Sequence, residues 1–347
     1  MSIESLVSLG WGPFFEQQLD ADVDGEAVPG RVVEQHRRRA EVDTGGQRRA
    51  VTGRGTLPPM TVGDWVTVDG SGAVTRVLER RSCFRRKAPG AGSQEQLLAA
   101  NVDTAFIVCS LNEDFSLNRI ERYLAVAHEA GAHPVVVLSK LDRCEEPEPL
   151  IASVRRLGSG LCVEAVNARD ADSAAVLRPW CTAGSTAVLL GSSGAGKSTL
   201  TNALLGEAVQ ATGAVREDDD KGRHTTTRRS LLRLPGGGVI IDTPGIRELQ
   251  LSECEAGVAQ TFDDIAAAAA ACRFADCRHQ TEPGCAVREQ VESGVIDARR
   301  LDNYRTLLRE QAVNAESTAQ RRSREKSTSR NYQKFQRDGR RFKQGED

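Results

Sequence analysis

The chain has 347 residues, 39% of them hydrophobic and 27% charged, with a formal net charge of −2. That length accommodates two or three domains and a sizeable buried core. No apolar run approaches the roughly eighteen residues of a membrane span, and MSIESLVSLGWGPFF lacks the basic start and long apolar core of a secretory signal. A cytoplasmic protein with no membrane partner is therefore expected.

Residues 1–29 read as a leader with turn signals and little periodicity. From 30 to 88 the runs RVVEQH, RRAEVDT, RRAVTGRG, DWVTVDG and GAVTRVLER alternate with Gly or Asp turns and no helical stripe. This pattern predicts a small barrel of about five strands, of which the oligonucleotide-binding OB-fold is one kind. Gly30 to Lys87 holds thirteen Lys/Arg against six Asp/Glu, so the barrel is the expected RNA-binding part. Trp65 could stack a base, but with aromatics at 4% it reads better as barrel core. RRSCFRRKAPGAGSQ reads as a basic linker.

Over 94–250 strands and helices alternate. TAFIVCS, PVVVL, LCVEAV, TAVLLG and GVIIDTPG are strand-like, and such continuous apolar runs suit strands buried on both faces. Ser116 can cap LNRIERYLAVAHEA, which Gly131 stops, and a second helix is expected across Leu150–Leu157. The sum is a mostly parallel α/β sheet whose ligand binds at the carboxyl ends of its strands.

Gly191, Ser192, Ser193, Gly194, Ala195, Gly196, Lys197, Ser198 and Thr199 form the phosphate-loop pattern between a strand and a helix. Its amides cradle a phosphate, Lys197 reaches the β- and γ-phosphates and the Ser198 hydroxyl takes Mg²⁺. Asp242, in IDTPG, would hold the same Mg²⁺ through a water, and the Gly245 amide would sense the γ-phosphate. In the intervening KGRHTTTRR the spacing leaves Thr225, Thr226 and Thr227 open as the switch I metal ligand, with Thr226 and Thr227 preferred.

VVVLSKLD ends in the pattern of a guanine-reading loop. Asp142 would accept from the guanine N1–H and amine, a donor pair adenine lacks. Lys140 would lie across the base, with Ser139 and Leu141 shaping the loop. Asn167 and Ala168 follow the next strand, where GTPases place a base-supporting loop. Ser139 and Asn167 stand where Asn and Ser are usual. The order is base loop, supporting loop, phosphate loop, switch I and switch II, which is the ordinary GTPase order cut after switch II and rejoined. New termini at exposed loops permit this.

From 251 to 316 the sequence turns helical around Cys272, Cys277, His279 and Cys285. Three thiols and one imidazole within fourteen residues suit a closed, structural, tetrahedral Zn²⁺. Residues 317–347 form a polar tail, basic between Arg321 and Lys343 and expected to be flexible until bound.

GSSGAGKSTLTNAL, KGRHTTT, IDTPGIRE, AANVD and CRFADCRHQTEPGCAV together resemble the RsgA family of circularly permuted GTPases. The resemblance implies an OB-fold, a permuted GTPase domain and a zinc domain that clasp ribosomal RNA. The implied function is GTP hydrolysis during late maturation of the small (30S) ribosomal subunit, with 16S rRNA as partner, by a monomer. Ras-like enzymes orient water with a Gln after the switch II glycine, but here Ile246 stands there. Slow intrinsic hydrolysis is expected, with His224 the candidate catalytic group once the ribosome orders switch I. The competing readings are a P-loop ATPase or kinase, an RNA-binding adaptor with little hydrolysis, and a GTPase for another RNA partner.

Overall fold

A computed structural model of the chain describes residues 3–20, 26–35, 39–53, 59–87, 95–206, 229–242 and 254–315. The first five strands are β1 (Val28–Gln35), β2 (Ala40–Asp43), β3 (Arg48–Gly53), β4 (Trp65–Val68) and β5 (Ala73–Val77). They run β1-β2-β3-β5-β4, and β4 pairs back onto β1, closing a ring. Its interior is β-branched, with Val32, Val42, Val51, Val66, Val68 and Val74 all buried, as a pleated, enclosed surface favours. A bulge between Val32 and Glu34 bends β1, so that its start pairs with β4 and its end with another strand.

Two stretches differ from the sequence expectation. The leader contains two short helices, Ile3–Ser8 and Pro13–Glu16, and buries Leu6, Leu9, Trp11 and Phe15. Trp11 and Phe15 enclose Trp65, with ring centroids 4.8 and 5.6 Å away. Trp65 is 0% exposed, which settles it as core and not as a stacking platform. The expected basic linker instead holds β6 (Cys83–Lys87), paired antiparallel with β7 (Glu95–Ala100). The partner strand lies beyond the Gly/Pro-rich segment APGAGSQ, so local composition alone reads as linker.

Six further strands complete the sheet: β8 (Thr104–Ser110), β9 (His133–Ser139), β10 (Cys162–Ala165), β11 (Thr186–Leu190), β12 (Arg229–Arg233) and β13 (Val239–Asp242). Their order is β10-β9-β8-β11-β13-β12, parallel except for β12. The chain enters at β8, walks outward to β10, then returns to the other side of β8 to make β11. Helix Leu117–Glu129 starts at Ser116, whose Oγ accepts the Arg119 amide. Helix Pro147–Arg155 overlaps the one expected across Leu150–Leu157, starting three residues earlier and ending two earlier.

The ring and the α/β sheet are one continuous sheet, because β12 pairs antiparallel with the end of β1 through Glu34–Ser230 and Gln35–Arg229. Beside that seam the Arg31 guanidinium is wholly buried and donates to the carbonyls of Leu9, Gly63 and Asn101. It thereby joins leader, barrel and α/β sheet. Burial pulls its pKa down to about 10, so it stays charged at neutral pH. Asn101 has φ 55°, its side chain donating to Gly63 O and accepting from the Arg81 amide, both at 3.0 Å. The Asn of AANVD is thus an interdomain fastener.

Helices Glu255–Thr261, Asp263–Ala269, Ala286–Glu292 and Ala298–Ala315 follow. The first meets helix Leu117–Glu129 so closely that a Cβ on Gly257 would lie 2.0 Å from Ala125 O. Glu121, 0% exposed, accepts from Arg299, Arg300 and Asn303 of the last helix. Arg122 forms a two-bonded pair with Glu310 nearby.

Candidate nucleotide site and metal cluster

The phosphate loop leaves β11 beside β8. Gly191 takes φ 144°, and a Cβ there would come 2.3 Å from Val108 O, so no larger residue fits without moving β8. Gly194 and Gly196 follow with φ 75° and 92°, conformations that L side chains resist. They turn the chain into helix Lys197–Leu205, whose unsatisfied amides face the loop. Lys197 is 8% exposed and folds back, its Nζ donating to Gly191 O at 2.7 Å and to Ser192 O. Ser198 is half-buried on the first turn, and Asp242 ends β13, the strand next to β11. A hydroxyl and a carboxylate at one sheet edge are hard oxygen donors of the kind Mg²⁺ takes.

The base side lies at the ends of β9 and β10. Ser139 is buried, and its Oγ donates to Ala195 O at 2.6 Å, pinning this loop to the phosphate loop. The short reach of Ser suffices because a Cβ on Gly196 would be only 3.5 Å from that oxygen. Lys140 adopts φ 60°, a strained conformation for a residue with a Cβ. It is followed by a tight turn, Leu141–Arg143, that leaves the Asp142 carboxylate exposed. The Leu141 amide donates to Val166 O at 3.2 Å, joining base loop to supporting loop. There the Asn167 amide donates to Ser173 Oγ at 2.9 Å, and its own Oδ1 accepts from the Arg169 amide. Ala168 is buried behind it.

These described residues, drawn from 139–142, 167–168, 191–199 and 242, gather at the carboxyl ends of parallel strands. His224, Thr225, Thr226, Thr227, Gly245 and Ile246 lie outside the described residues, as does the basic tail. Sequence reasoning missed Ser173, the brace under Asn167, and Arg119, whose guanidinium donates to Ser192 Oγ at 3.1 Å. Neither carries a motif signal; only the fold brings them in.

Cys272, Cys277, His279 and Cys285 place their ligand atoms within 4.8 Å of one another. A tetrahedral ion with Zn–S of about 2.3 Å and Zn–N of about 2.0 Å sets S···S near ~3.8 Å and S···N near ~3.5 Å. The observed Cys272–Cys285 sulfur separation is 3.9 Å, and His279 Nδ1 lies 3.6 and 3.5 Å from those two sulfurs. The donor set fits Zn²⁺, with Nδ1 as the imidazole ligand. Burial alone would raise the Cys272 thiol, but amide donors from Val287 and Ala286 and the neighbouring thiols bring it below its ordinary value. His279 has φ 57°, and Glu282 accepts the amides of Arg278, Gln280 and Thr281, which fixes the turn. Purified protein is expected to release a single Zn²⁺ per chain to a chelator, with a lower melting temperature. Metal analysis and a thermal melt check this, and an unchanged melt would reject a structural ion.

A family model described as RsgA GTPase matches residues 77–252. The chain is 52% identical over 318 residues to small ribosomal subunit biogenesis GTPase RsgA 2 of Vibrio parahaemolyticus, covering 92% of this chain and 89% of that one. It is 46% identical to the corresponding RsgA of Opitutus terrae, covering 90% and 91%. Among solved structures, YjeQ from Thermotoga maritima superposes with a TM-score of 0.62 at 26% identity, covering 82% of this chain and 98% of that one. YloQ, a circularly permuted GTPase, superposes at 0.61 and 24%, covering 84% and 98%, and supports the fold alone. The permuted strand order, the two loops at one sheet edge and these similarities agree: the chain belongs to the RsgA GTPase family.

Proposed function

We propose that the protein hydrolyses GTP to GDP and phosphate while assisting biogenesis of the small ribosomal subunit. The observation that carries this is the Ser139–Ala195 hydrogen bond of 2.6 Å. It holds a guanine-type loop at a fixed offset from a phosphate loop, across a chain order in which the first precedes the second.

Each residue has a part in this reading. Asp142 reads the guanine, Lys140 covers it, and Ser139, Leu141, Asn167 and Ala168 shape its slot. The amides of Ser192, Ser193, Gly194, Ala195, Gly196 and Thr199 wrap the phosphates, Gly191 allowing the close turn. Lys197 reaches the β- and γ-phosphates and meets the charge that develops in phosphoryl transfer. Ser198, Asp242 and Thr226 or Thr227 are the residues that would hold Mg²⁺. An ion held by them would supply charge neutralisation at the phosphates. His224 is the group proposed to orient the attacking water, because Ile246 offers no polar atom.

The closed five-stranded ring is proposed as an OB-fold that contacts 16S rRNA, supported by its basic sequence and its β-branched interior. The zinc-fitting helical region from 251 to 316 and the basic tail from 317 to 347 add further contacts, so binding should weaken with salt. A cytoplasmic monomer is the matching location and state. Among the described residues no helix is long and apolar enough to cross a membrane.

GTP turnover by the full chain is expected to be slow alone and strongly stimulated by small subunits, on the order of a hundredfold, as a missing water-orienting group arrives. Large subunits should not substitute, nor ATP for GTP. Equal stimulation by large subunits would remove the partner from this reading. Equal use of ATP would remove the role of Asp142.

A further inference from the structure

We infer that Arg119 is a positioning residue for the phosphate loop, acting through the Ser192 hydroxyl. The inference rests on the GTPase reading and adds to it a residue outside every nucleotide-binding motif of the chain. Arg119 lies on the first turn of helix Leu117–Glu129. Its Nη1 donates to Ser192 Oγ at 3.1 Å and its Nη2 to Asp114 O at 3.2 Å. One planar fork therefore ties the second residue of the phosphate loop to the chain that follows β8.

Ser192 is held twice. Its carbonyl accepts from Lys197 Nζ and, at 3.4 Å, from the Ala195 amide, while its hydroxyl is held by Arg119. The Lys197 ammonium has three N–H donors, and the Gly191 and Ser192 carbonyls accept from it. Arg119 holds Ser192 through a different atom, its hydroxyl, and so independently of where the ammonium points. It keeps that peptide from rotating while the amides that follow point at phosphate. Its positive charge also stands behind a loop that must bind an anion.

The mount is rigid. Ser116 caps the helix by accepting the Arg119 amide. Two residues on, Glu121 is buried against Arg299 and Arg300, and Arg122 is paired with Glu310. An anchor built on this helix cannot drift with the loop it holds.

The test uses the full chain with small subunits and four proteins: wild type, Arg119→Ala, Ser192→Ala and the double variant, with Arg119→Lys as a fifth. The readouts are kcat and KM for GTP, the release rate of a fluorescent GDP, and a thermal melt. Arg119→Ala is expected to lower kcat about tenfold, and to speed GDP release about as much, with the melt unmoved. Ser192→Ala should do the same, and the double variant should be no worse than either, as two ends of one interaction require. Arg119→Lys, with charge but no fork, should restore part of the loss. Losses that multiply in the double variant would overturn the inference, as would wild-type kcat and release in Arg119→Ala. If the wild type itself does not hydrolyse GTP, the GTPase reading fails. GDP release still decides the role of Arg119 in that case.

Discussion

Replacing Glu121 by alanine is expected to destabilise the protein by about 3 kcal/mol, the low end of what breaking a buried ion pair costs. The carboxylate is 0% exposed and accepts four hydrogen bonds, from Arg299 Nη1 and Nη2, Arg300 Nη1 and Asn303 Nδ2, at 2.6–3.1 Å. Without it, the Arg300 guanidinium stays buried with Asp264 and the Thr261 carbonyl as partners. Arg299 is 30% exposed and can turn toward water. That asymmetry places the cost at the low end. Glu121→Gln keeps an acceptor and should lose roughly half as much. Urea unfolding checks both, and a Glu121→Ala midpoint equal to wild type would show that the interface is held by packing alone.

The largest expected effect on turnover is that of Lys197→Ala, roughly a hundred- to a thousand-fold loss of GTP hydrolysis with small subunits present. The ammonium is the one group of the loop that can carry a full positive charge to the γ-phosphate, and its Nζ donates to the carbonyls of Gly191 and Ser192 at the start of that loop. The fold is expected to survive its removal. Lys197→Arg should not restore turnover, since a planar, delocalised guanidinium does not replace a compact point charge. Single-turnover hydrolysis and a melt separate the two effects. Near-wild-type hydrolysis in Lys197→Ala would mean that this loop is not where the triphosphate reacts.

The strands of the α/β sheet were legible because burial on both faces writes a continuous apolar run. TAFIVCS is β8 from its first residue to its last. Ser116 and Gly131 marked one helix for equally local reasons. Leader helices of six and four residues are too short to show a period. Strand β6 is defined by a partner beyond the Gly/Pro-rich segment APGAGSQ, and β12 is fixed on one side by β1, some 195 residues earlier in the chain. Glu121 sits among Ile120, Tyr123 and Leu124 and reads locally as part of a polar face. Its burial is decided by Arg299 and Arg300, some 180 residues away. Spacing in the sequence singles out 139–142, 191–199 and the Cys/His cluster, whereas Arg119 and Ser173 carry no such signal, because their contacts cross elements.

The seam between β12 and β1 has a consequence for how this chain can be divided. A strand whose outer amides and carbonyls lie bare is a template for another copy of itself. In the intact chain the end of β1 covers the start of β12. A GTPase half cut away from its barrel would present Arg229 and Ser230 as an open edge. It would be prone to stack edge to edge with its own kind. The barrel is thus also a cover for the sheet, and the two halves of the molecule are not separable modules.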